Sequence, residues 1–72
     1  MLYYTKYAEE KFDLLNRYHV FITREEIDDA VHTPDIVTKN GKYALYSKDH
    51  VRVVCRNNDG VTTVITFYPI KR

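Results

Sequence analysis

The sequence predicts an α+β domain in which two N-terminal helices pack on one face of a four-stranded antiparallel sheet. Three observations predict it. Apolar residues recur at helical spacing as far as Pro34, the period falls to two after it, and only short turn signals separate the alternating runs. At 72 residues the chain makes one domain, spanning 1–72. A chain of this size buries only about 60% of its unfolded surface. With 44% hydrophobic residues it still has the material for a core.

Leu2 to Tyr4 reads as a short extended segment. Thr5 caps a first helix running to about Tyr18, with Glu9 and Glu10 near its positive end. Ala8, Phe12, Leu15 and His19 follow helical spacing and form its inward stripe. The second helix opens on a capping box, Thr23-x-x-Glu26, with Ile22 placed to staple onto Ile27. Ile27, Ala30 and Val31 line its inner face, and Pro34 ends it by Thr33.

Asp35–Lys39, Lys42–Ser47, His50–Asn57 and Val61–Tyr68 then alternate as strands. Asn40-Gly41 and Lys48-Asp49 supply two-residue turns, and Asn58-Asp59-Gly60 a three-residue loop. With that loop, Asn57 faces Val61 and His50 faces Tyr68. Val51, Val53, Cys55, Val61, Thr63, Ile65 and Phe67 then share the helix side. His50, Arg52, Val54, Arg56, Thr62, Val64, Thr66 and Tyr68 share the other. A one-residue slip mixes arginines with Ile65 and Phe67, so the alternation favours this register.

Net charge is only +1, yet the signs are segregated. Residues 1–35 hold eight of the ten acids. Lys39, Lys42, Lys48, Arg52, Arg56, Lys71 and Arg72 stand against Asp49 and Asp59 in the rest. A basic sheet backed by acidic helices is compatible with nucleic acid. The single Cys55 leaves no internal disulfide and fits a reducing cytoplasm. No apolar run approaches the roughly 20 residues of a membrane span, so a cytoplasmic protein without membrane partners is expected. His19 and His32 lack ligand spacing, so neither a metal nor another cofactor is expected. Nucleophile-elbow, P-loop, dinucleotide-binding and HExxH signatures do not occur.

The chemistry concentrates on the outer face. Arg52 suits a developing phosphate charge, and His50 or Tyr68 can move a proton. Lys42, Lys48, Arg56, Lys71 and Arg72 can hold backbone phosphates, and Tyr43 can stack a base. The plainer alternative is a solvated sheet face on which Arg52 pairs with a neighbouring acid. Tyr3, Tyr4, Tyr7 and Tyr18 read as half-buried packing residues, and Cys55 as an inert core thiol.

Several strings carry a resemblance. Tyr4-Thr5-Lys6-Tyr7-Ala8-Glu9-Glu10-Lys11-Phe12, Ile22-Thr23-Arg24-Glu25-Glu26-Ile27, Thr33-Pro34-Asp35, Val51-Arg52-Val53-Val54 and Val64-Ile65-Thr66-Phe67-Tyr68-Pro69 span most of the chain. Together they resemble a group of small bacterial and archaeal domains related to the BrnT-like and RelE/ParE toxins. The resemblance implies a RelE-like fold and a toxin component of a type II toxin–antitoxin system. Active members of such families cut mRNA without a metal, on the ribosome or free, and are neutralised by an antitoxin. It also implies a role for Arg52 and Tyr68, whose flanking residues match the pattern. Relatives commonly have His-Ala where this chain has Tyr7-Ala8. The competing expectation is a non-catalytic interaction module or homodimer, using Ile36, Leu45, Val54 and Val64 as an apolar patch.

Overall fold

The computed structural model describes residues 2–71. Its elements run β1 (Leu2–Tyr4), α1 (Lys6–Arg17), α2 (Arg24–His32), β2 (Ile36–Asn40), β3 (Tyr43–Lys48), β4 (Val51–Asn58) and β5 (Val61–Pro69). The α+β class and the helices match the expectation, but the four-stranded antiparallel sheet does not. The sheet has five strands in the order β1-β5-β4-β3-β2 and is mixed, because β1 lies parallel to β5. A three-residue segment is too short for a period to show. It becomes a strand by pairing along β5, with Leu2 beside Thr62 and Tyr4 beside Val64.

Thr5 then changes the chain from strand to helix. Its N–H bonds the Val64 carbonyl at 3.0 Å, and its Oγ1 accepts from Ala8 N at 3.1 Å as the α1 cap. Ala8 is fully buried, and Phe12 and Leu15 pack against the core. His19 leaves the predicted stripe because it closes the helix. Its φ is 59°, and the amides of His19 and Val20 return to the carbonyls of Asn16 and Leu15. That is a Schellman closure, with histidine in the left-handed position usual for glycine and both Leu15 and Val20 packed against the core. Tyr4 packs as expected, whereas Tyr3, Tyr7 and Tyr18 are exposed, being off the 8–12–15 row or off the helix side of β1.

The capping box of α2 forms in full. Glu26 N donates to Thr23 Oγ1 and Thr23 N donates to Glu26 Oε1, each at 3.1 Å. Thr23→Ala should therefore cost about 1 kcal/mol. In a domain of this size, thermal melting should register that as a fall of about 4–8 °C; an unchanged midpoint would dismiss the box as a stabilising device. Arg24 ties α2 to α1 by a 2.6 Å ion pair with Glu9, its guanidinium lying over the rings of Tyr4 and Phe12. Thr33 caps the end before Pro34.

All three hairpins turn later than the sequence indicates. Gly41-Lys42 is the first turn and Asp49-His50 the second, with Gly41 at φ 63° and Asp49 at φ 54°. These two slides each move the register by a full period, so inward and outward residues keep their sides. The third loop is the two-residue Asp59-Gly60, both with positive φ, as a type I′ turn requires. Asn58 therefore faces Val61 and Cys55 faces Val64. This reverses the expected sides of residues 61–64, and Val64 is fully buried instead of outward.

A β-bulge then restores the alternation. The register shifts between Val54 and Cys55, which face Thr66 and Val64, so Ile65 has no place in the ladder. The Ile65 carbonyl accepts a hydrogen bond from Thr5 Oγ1 at 3.1 Å. Beyond the bulge Phe67 points inward and Tyr68 outward, as expected. Val61, Thr63 and Ile65 are absent from the core, which comprises Val51, Val53, Cys55, Val64 and Phe67 of the sheet under Ala8, Ile22, Ile27 and Ala30.

Candidate nucleic-acid interface

The helices cover one side of the sheet and leave the other open. Arg52 and Tyr68 are direct cross-strand partners on that open side. Such partners have Cβ atoms about 4.5–5.5 Å apart. The sequence sets Arg52 diagonal to Tyr68; the later turn and the bulge bring the two together.

Ser47 is the functional residue that sequence reasoning misses. It faces Arg52 from β3, is 2% exposed, and accepts a 3.0 Å hydrogen bond from Arg52 Nε. One edge of the guanidinium is thereby fixed, while its terminal nitrogens have no hydrogen-bond partner among the described residues. The signal for it is the β3–β4 register, which depends on a turn at Asp49-His50 rather than Lys48-Asp49.

His50 is not part of this site. As a turn residue it is no longer opposite Tyr68, and its Nε2 lies 3.2 Å from Glu26 Oε2 on α2. Lys48 also belongs to the helix side. Its Nζ donates to Asp29 Oδ2 at 2.9 Å and to Thr33 Oγ1 at 2.7 Å. This contact raises the lysine pKa and lowers that of Asp29 from their ordinary values. Neither residue adds charge to the open face.

Arg56 lies four residues from Arg52 on the same side of β4, about 13 Å along the strand. It faces Tyr43 of β3, which is 46% exposed, and Lys42 occupies the adjoining turn, also exposed. The expected cluster thus divides into Arg52, Tyr68 and Ser47 at one end, and Arg56, Tyr43 and Lys42 at the other. Lys71 is exposed beyond β5, and Arg72 lies outside the described residues.

The charge balance of the sheet is one-sided. None of the five strands contains Asp or Glu, and among the described residues neither Arg52 nor Arg56 forms an ion pair. The plainer expectation of an Arg52–carboxylate pair is therefore not met. Beside Arg52 and Arg56 the open side carries Ile36, Leu45 and Val54, giving a mixed apolar and cationic surface.

Cys55 is sealed beneath the helices, and burial pushes its thiol up to about 12. A thiol so placed is no nucleophile at neutral pH. Among the described residues no three His, Cys, Asp or Glu side chains gather as metal ligands. No described helix is long and apolar enough to cross a membrane. Comparison of the chain with protein-family models, with curated proteins and with solved structures finds no match.

Proposed function

We propose that the open sheet face binds single-stranded RNA and that Arg52 and Tyr68 cleave it, making the chain the toxin-like member of a toxin–antitoxin pair in the cytoplasm. One observation carries the reading: an arginine with no carboxylate partner among the described residues stands directly opposite a tyrosine on a sheet without acids. The likeness of Val51-Arg52-Val53-Val54 and Phe67-Tyr68-Pro69 to the RelE/ParE-type toxins adds to it.

Arg56 and Lys42 hold flanking phosphates, and Tyr43 stacks a base. The 2′-hydroxyl oxygen attacks the adjacent phosphorus, and its proton passes to water. The bond from phosphorus to the 5′ oxygen breaks, leaving a 2′,3′-cyclic phosphate. Arg52 offers its terminal N–H groups to the charge growing on the phosphoryl oxygens. A phenol donates a proton more readily than it removes one, so Tyr68 protonates the departing 5′ oxygen. An acidic antitoxin segment laid on the same face would block it.

Expression of the chain should arrest growth and yield RNA ends bearing cyclic phosphate. Combined Arg52→Ala and Tyr68→Phe substitutions should relieve the arrest. Undiminished arrest in that double variant would remove this site from the mechanism. The exposure of Ile36, at 52%, beside Leu45 and Val54 favours one second reading, a non-catalytic protein-binding face. RNA held but left uncut, with a protein partner displacing it, would decide for that reading.

A further inference from the structure

The exposed tyrosines of α1 have no part in the RNA face. Tyr7, Lys11, Leu14 and Tyr18 follow one another at steps of four, three and four residues, which makes a single row. This row lies about a quarter-turn around the helix from the buried Ala8–Phe12–Leu15 row. Tyr7 is 60%, Leu14 47% and Tyr18 72% exposed. A groove of about 350 Å³ runs along it, with Glu10, Asp13 and Arg17 on its margin. Lys11 does not break the row. Its ammonium reaches Thr66 Oγ1 at 3.4 Å and sits 5.9 Å from the Tyr7 ring centre, so its methylenes can lie along the apolar surface.

We propose that this flank of α1 pairs with the same flank of a second copy of the chain, antiparallel, about a two-fold axis. The charge pattern identifies the occupant. With Tyr7 against Tyr18 of the second copy, and Lys11 against its Leu14, Glu10 meets the partner's Arg17. The two-fold axis makes that ion pair twice. A parallel pairing would place each copy's Glu10 and Arg17 on opposite flanks of the seam, where neither ion pair can form, so the charges favour the antiparallel form. Among the described residues both side chains are free of ion pairs within the chain. The apolar row and the charges beside it thus complete each other without a foreign partner. A 12-residue helix is about 18 Å long, so the interface is small and exchange between monomer and dimer should be measurable.

Sedimentation equilibrium from micromolar to millimolar concentration tests this, with circular dichroism confirming the fold of each variant. The wild type should dimerise. Leu14→Glu should weaken association about tenfold or more. Glu10→Arg and Arg17→Glu should each weaken it several-fold, because each creates a like-charge contact twice. The double variant Glu10→Arg/Arg17→Glu rebuilds the ion pairs in reverse and should return close to the wild-type constant. A wild type that remains monomeric across the range, or a double variant that associates no better than either single one, overturns the proposal.

Discussion

Arg52→Ala should lower affinity for single-stranded RNA by roughly tenfold to a hundredfold and abolish growth arrest. The size follows from the contact. A guanidinium bidentate to phosphate or base contributes about 1–3 kcal/mol, and each 1.4 kcal/mol is about tenfold in binding. Arg52 is also pre-oriented. Ser47 holds Nε from a position 2% exposed, so the planar fork is oriented by the protein itself. Arg52→Lys should therefore fail to rescue, since an ammonium keeps the charge but loses both the Ser47 contact and the fork.

The mutation has a separable structural cost. It leaves the buried Ser47 hydroxyl without its donor, and a lost hydrogen bond of this kind costs on the order of 1 kcal/mol. Thermal melting measures that part, and binding to a folded variant measures the rest. Arg56→Ala, on an exposed guanidinium, should lower the salt dependence of binding by about one phosphate contact and leave the midpoint alone. Equal RNA affinity in Arg52→Ala and wild type would show that the open face does not recognise RNA through this residue.

Phe67→Ala should come close to unfolding the protein at room temperature. Phe67 is fully buried, and its ring centre lies 4.6 Å from that of Phe12, joining β5 to α1. Truncating a buried phenylalanine costs about 3–5 kcal/mol. A domain of 72 residues has roughly 4–11 kcal/mol in total. The midpoint should fall by at least about 15 °C, against a few degrees for the half-buried Ile65→Ala two positions away. Similar shifts for the two variants would mean that the inward alternation beyond the bulge is wrong.

The helices and the pairing of faces are legible in the sequence because their signals are local. Thr5, Thr23 and Pro34 mark helix ends through side chains that act within one turn. Arg52 and Tyr68 share a side as the alternation predicts, although residues 61–64 between turn and tyrosine take the opposite phase. The reason is a cancellation. Asn57-Asn58-Asp59-Gly60 accommodates a two-residue or a three-residue loop, and choosing the longer reverses residues 61–64. The unforeseen bulge reverses the next residues again.

Nothing local marks the bulge, since Val-Ile-Thr-Phe-Tyr alternates acceptably in either phase. Its contact lies 60 residues away, where the Thr5 hydroxyl donates to the Ile65 carbonyl. β1 is hidden for a similar reason, as its strand character comes from the β5 edge and not from its own three residues. His50 and Ser47 depend on where Asp49 turns. The choice rests on the ability of an aspartate to adopt left-handed backbone, which a glycine would have advertised more plainly.

Because Ile65 stands outside the ladder, β5 is a strand that can lose a residue without being turned inside out. A chain shorter by that single position would still seat Val64 and Phe67 inward and present Tyr68 outward. Elsewhere in the sheet the same deletion would exchange interior for surface along everything downstream. The length of this strand can thus change by one residue at this one place without exchanging its two faces. The Thr5 hydroxyl would cap Ala8 N in either case, and only its bond to the Ile65 carbonyl depends on the extra residue.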